Sequence, residues 1–87
     1  MKLKYEFAIQ EVIGNYVAVA VGDKADKFGG VIRLNDTGKR IFELIQQELD
    51  EDAIVAALAQ EYDASDDALR AEVRKVVAEL RSQDVLA

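Results

Sequence analysis

The residue types that most often carry chemistry are missing from this sequence: histidine and cysteine are both absent. Their absence removes the usual general base, the thiol nucleophile and the commonest metal ligand together. Two serines remain, Ser65 and Ser82, with only carboxylates, Lys and Arg as possible activating neighbours. Ser65 stands immediately before a helical pattern, where its hydroxyl serves as an N-cap. Carboxylates cluster at Asp50-Glu51-Asp52 and Asp66-Asp67. Both groups fall at helix starts, where negative charge complements the helix dipole. Asp50 to Asp52 also lacks the spaced oxygens and central glycine of a calcium loop. Gly29-Gly30 precedes a strand and not a helix, so it offers no phosphate cradle. These residues point to a binding module, not an enzyme, with no cofactor and no metal.

One constellation has the spacing of a binding surface. On a helical projection of the last helix, Arg70, Arg74 and Arg81 fall within about 40° of one another. They lie beside the apolar face, with Val77 on the border, while Glu72 and Glu79 lie on the opposite flank. The residues alone leave two readings open. One is an ordinary solvated face with an Asp66–Arg70 pair at i,i+4; the other is a basic edge that contacts a partner.

The elements that position these residues follow from apolar spacing. Leu3, Tyr5, Phe7 and Ile9 alternate with Lys4, Glu6 and Ala8, the period of a strand with one buried face. Gly14-Asn15 is the expected two-residue turn into a second strand, Tyr16 to Val21. After Gly29-Gly30, the run Val31-Ile32-Arg33-Leu34 reads as a third strand. Three helices follow. Asn35 or Asp36 caps the first, with Ile41, Phe42, Ile45 and Leu49 at helical spacing. Asp50 caps the second, with Ile54, Val55, Leu58 and Tyr62 as its stripe. Ser65 caps the third, where Leu69, Val73, Val76, Val77 and Leu80 share a face. Val85-Leu86 is expected to fold back on the core. The resulting fold class is α+β: a winged-helix-like, three-stranded antiparallel sheet followed by three helices.

Bulk composition bounds the partners. The 87 residues are 51% apolar and 32% charged, with no proline, which fits one globular domain over residues 1–87. No apolar run approaches the ~20 residues of a membrane span, and no signal-peptide pattern opens the chain. A cytoplasmic protein without membrane contact is expected. The net charge of −6 argues against nucleic acid as a partner, since phosphate neutralisation by Lys and Arg dominates that affinity.

The segment Gly30-Val31-Ile32-Arg33-Leu34-Asn35-Asp36-Thr37-Gly38-Lys39-Arg40-Ile41-Phe42-Glu43-Leu44 resembles the Leu-Asn-x-Thr-Gly-x-x-Ile-aromatic-x-Leu signature of the PqqD-like proteins. These are the recognition elements, or peptide chaperones, of ribosomal peptide modification systems. Ile54 to Asp63 is similar to the family's Ile-x-x-x-Leu-x-x-x-Tyr-Asp stretch. So is the close, where Val73, Val76, Val77 and Leu80 precede Val85-Leu86. Two sites depart from the family pattern. Glu48-Leu49-Asp50 stands where the family commonly has a glycine-containing turn and a Thr cap, and Asp84 where it often has glycine.

The resemblance implies a winged-helix domain that binds the leader segment of a precursor peptide and presents it to a modifying enzyme, often a radical SAM enzyme. In such domains the leader adds as a strand to the third strand, against the third helix, which is β-augmentation. Carried onto this chain, Gly30, Val31, Ile32, Arg33 and Leu34 supply the edge. Arg70, Val73, Arg74, Val77 and Arg81 would then line the groove, where an acidic, partly apolar leader would fit. The alternatives are a DNA-binding winged-helix regulator and a structural or dimerisation subunit that pairs through the same edge. A monomer or weak homodimer is expected.

Overall fold

The computed structural model describes residues 1–87 throughout. Strand β1 (Glu6–Val12) and strand β2 (Asn15–Val21) form a hairpin, and strand β3 (Val31–Leu34) follows a single 3-10 turn at Ala25–Lys27. The helices are α1 (Asp36–Gln46), α2 (Glu51–Glu61) and α3 (Asp66–Ser82). The sheet is antiparallel with order β1-β2-β3, so β3 is an edge strand. The α+β order expected from the sequence is the observed one.

Two local expectations shift. Val12 pairs with Asn15, so the hairpin turns on Ile13-Gly14 and not on Gly14-Asn15. Gly14 has φ +76°; as the second of two turn residues it supplies the positive φ that a type II turn requires there. Asn15 is thereby free to open β2. The first strand also starts later than its alternation predicts. Leu3 forms a bridge with Leu86, the Lys4 N–H donates to the Val85 carbonyl (2.8 Å), and the Ala87 N–H donates to the Lys2 carbonyl (2.9 Å). The two ends of the chain are clasped together, and Val85 is fully buried beneath them.

Fifteen apolar residues form one core, and no polar side chain is buried with them. The sheet contributes Phe7, Ala18, Ile32 and Leu34; α1 contributes Ile41, Phe42, Leu44 and Ile45. Ile54, Val55 and Leu58 of α2, with Leu69, Val73 and Leu80 of α3 and Val85 just beyond it, complete it. Phe7 and Phe42 meet edge-to-face at 5.4 Å, which ties the first strand to the first helix. Asn35, Asp50 and Ser65 each cap a helix, accepting the N–H of Gly38, Ala53 and Ala68 at 2.7, 2.8 and 3.2 Å.

Helices α1 and α3 end in the same way. The Leu49 N–H donates to the Leu44 carbonyl and the Glu48 N–H to the Ile45 carbonyl. At the end of α3 the Val85 N–H donates to the Leu80 carbonyl and the Asp84 N–H to that of Arg81. Each pair of bonds is a Schellman motif, and each places a non-glycine residue in the left-handed region: Glu48 at φ 62° and Asp84 at φ 57°. Leu49 therefore lies beyond α1, half-buried against the core, and Leu44 takes the buried place on the helix instead. Tyr62 likewise sits at the C-cap of α2. No helix is long and apolar enough to cross a membrane.

Candidate functional site

The free edge of β3 has a defined register. The two-residue turn makes Val12–Asn15 a hydrogen-bonded pair, and such pairs alternate along an antiparallel ladder. Asn15, Val17 and Val19 therefore direct their backbone groups to β1, and Tyr16 and Ala18 direct theirs to β3. Tyr16 is opposite Leu34 and Ala18 opposite Ile32. The backbone groups of Ile32 and Leu34 are thus spent within the sheet. Those of Val31 and Arg33 point outward and have no strand to pair with.

Side-chain direction follows the same alternation. Ile32 (2% exposed) and Leu34 face the helices, whereas Val31 (51% exposed) and Arg33 face solvent on the other side of the sheet. Gly30 precedes the strand with open space around its α-carbon. Beside the edge, β3 and α3 diverge into a cleft of about 190 Å³ with Ile32, Leu34, Val76 and Leu80 as its apolar lining. Glu72, Lys75 and Glu79 of α3 rim it, β3 borders it at Arg33, whose side chain alternates to the other face, and Asn35 and Gly38 close one end. Small-molecule sites run to ~300–1,000 Å³, so this cleft is sized for one or two side chains.

The arginine flank of α3 lies elsewhere. Arg70 Nη1 donates to Glu51 Oε2 (2.7 Å) and is 2.8 Å from Asp52 Oδ1; Arg74 Nε donates to Glu51 Oε1 (2.9 Å). Both arginines are thus held against the first turn of α2, and the Asp66–Arg70 pair does not form. The hydrogen bonds from Arg74 and then Arg70 hold the Glu51 carboxyl below the usual carboxylate range. Arg81 is exposed, Val77 is half-buried on the same flank, and Val73 is fully buried in the core. None of Arg70, Val73, Arg74, Val77 and Arg81 lines the cleft beside β3, contrary to the expectation from sequence.

The physical reason is the way α3 packs. Its apolar strip has two borders, one at Val77 and one at Val76, and α2 lies along the first. The Val76 border, flanked by Glu72 and Glu79, is the one that meets β3. A signal for this was present in the sequence. Glu51 and Asp52 at the start of α2 are carboxylate partners waiting for a basic flank, so the arginines turn toward α2. No cluster of three or more acidic residues is arranged to hold a metal ion.

The free edge of β3 thus presents outward backbone groups beside an apolar cleft. The chain matches the family model described as Coenzyme PQQ synthesis protein D (PqqD) over residues 15–86, and it belongs to that family. Among solved structures it is similar to one described as TbiB1 in Complex with the TbiA(beta) Leader Peptide. The TM-score is 0.76 at 20% identity, covering 99% of this chain and 94% of that one, a likeness of fold. The comparison with curated proteins gives no match.

Proposed function

We propose that this domain binds the leader segment of a ribosomally made precursor peptide by adding it as a fourth strand along β3, and that it presents the precursor to a modifying enzyme. The observation that carries this reading is the unpaired edge at Val31 and Arg33 beside the cleft floored by Val76 and Leu80. Membership of the PqqD family supports it, as does the shared fold with a protein solved in complex with a leader peptide. Main-chain bonds at the edge contribute about 0.5–1.5 kcal/mol each, net, without regard to side chain. The cleft then selects among segments by the side chains it accepts.

On this reading the domain supplies no catalytic group, and the chemistry belongs to the partner enzyme, of which a radical SAM enzyme is one class. The DNA-binding alternative is weakened by charge placement. The open flank of α3 carries Glu72 and Glu79, and two of its arginines are held by Glu51. The test is an amide-resolved NMR titration of the labelled domain with leader peptide from a precursor encoded beside it. Val31 and Arg33 amides are expected to shift and to become protected from solvent exchange. Unaltered exchange at both positions under saturating peptide would count against strand addition.

A further inference from the structure

The cleft and the edge together specify what kind of segment fits, provided that the strand-addition reading above is right. A strand laid along β3 alternates its side chains, as β3 does. Every second residue faces α3, and the residues between them share the outer face with Val31 and Arg33. On the α3 side the floor is Ile32, Leu34, Val76 and Leu80, with Glu72 and Glu79 on either side of Val76 along the helix. Glu72 makes no side-chain hydrogen bond or ion pair, and the Glu79 carboxylate accepts only from Gln83 Nε2 (2.9 Å). Lys75 also lines the cleft, one position further round the helix than Glu79 and further from the apolar floor. On the outer face the charge sign is reversed, because Arg33 is exposed there and free of any ion pair.

The spacings are commensurate. Successive same-side residues of a strand are about 7 Å apart. Glu72 and Glu79 lie about 6 and 4.5 Å along the helix from Val76. Where the added strand runs along α3, an apolar residue seated over Val76 brings the residues two before and two after it close to the two glutamates. Its immediate neighbours in sequence come out beside Arg33.

We propose that the segment this domain selects carries a large apolar residue with basic residues two positions away on either side, and acidic residues at the adjacent positions. The selected leader is then cationic toward α3 and anionic toward the outer face of the sheet. This is the reverse of the acidic groove-filling leader that the arginine flank implies.

Two synthetic peptides of identical composition and net charge test the rule. One carries the core Thr-Lys-Glu-Leu-Glu-Lys-Thr; the other carries Thr-Glu-Lys-Leu-Lys-Glu-Thr. The leucine pins the register, so a one-residue slip cannot exchange the two patterns. Titration into the labelled domain, followed at the Val31 and Arg33 amides, is expected to show the first peptide binding about three- to tenfold more tightly, as two exposed charge pairs allow. In the double variant Glu72→Lys with Glu79→Lys, checked for folding by circular dichroism, the preference is expected to invert. Equal binding of both peptides with shifts at Val31 and Arg33 overturns the charge rule and leaves strand addition standing. So does a preference that the double variant does not change. Absence of shifts at Val31 and Arg33 with both peptides at millimolar concentration overturns the charge rule; strand addition falls with it when saturating leader peptide also leaves both amides unshifted.

Discussion

Glu48 occupies the left-handed position that closes the Schellman motif of α1, at φ 62°, and its carboxylate has no ionic partner. A side chain with a Cβ in this region costs roughly 1–2 kcal/mol relative to right-handed backbone. Glycine removes that cost but loses about 0.5–1 kcal/mol through its freer unfolded chain. The balance for Glu48→Gly is a gain of about 0.5–1 kcal/mol, which in a domain of this size raises Tm by about 2–8 °C. Asp84→Gly is the informative contrast. Aspartate tolerates the left-handed region better, and the change also removes the Lys4–Asp84 pair (2.6 Å). That exposed pair is worth about 0–1 kcal/mol, so the two effects nearly cancel. Thermal unfolding by circular dichroism at constant pH and salt measures both. Glu48→Ala serves as the control, since it removes the charge and keeps the Cβ, and no gain is expected from it. A Glu48→Gly variant no more stable than the parent, or an alanine variant equally stabilised, would refute the backbone argument.

Further outcomes follow from the same geometry. Gly22 has φ +88°, and a Cβ there would sit 3.3 Å from Glu6 Oε2, so Gly22→Ala is expected to destabilise by about 1–2 kcal/mol in urea unfolding. Glu51 has a carboxyl pKa depressed by Arg74 and Arg70, so its contribution to stability is complete above the ordinary carboxylate range. That contribution is lost as the pH falls through the lowered folded value. Glu51→Gln should therefore flatten the acid limb of the stability–pH profile and leave the neutral-to-basic limb unchanged in shape. Arg74 (side chain 68% exposed) faces α2 and not the cleft, so Arg74→Ala with Arg81→Ala should change leader affinity by less than about twofold in isothermal titration.

Local signals carried most of the fold. The alternation around Phe7, the run Val31 to Leu34 and the caps at Asn35, Asp50 and Ser65 were all legible, because each depends on residues close in sequence. The same held for the two family departures at Glu48-Leu49-Asp50 and Asp84. The first includes Glu48, and these two sites hold the chain's only non-glycine residues at positive φ. The failures were of a different kind. Leu3 read as strand because its alternation is right, yet its partner is Leu86, at the other end of the chain. The helical projection of α3 correctly separated a basic flank from an acidic one. It could not say which flank meets β3, since that depends on where α2 packs. Arg70 and Arg74 pair with Glu51 on the flank that α2 covers, a contact between two helices that no single-helix projection contains.

Proline scanning of β3 tests the central claim most directly. The register assigns the Val31 N–H to the open edge and the Ile32 N–H to the bond with Ala18. Proline at Ile32 removes a sheet bond and a side chain that is 2% exposed, and is expected to unfold the domain or cost about 3 kcal/mol or more. Proline at Val31 removes only an outward donor, so the free domain should remain folded by circular dichroism. An added strand then loses one main-chain bond, about 0.5–1.5 kcal/mol, and meets the pyrrolidine ring. Titration of leader peptide into folded Val31→Pro is expected to show affinity reduced about tenfold or more. A well-folded Val31→Pro domain that binds leader as tightly as the parent would contradict strand addition at this edge.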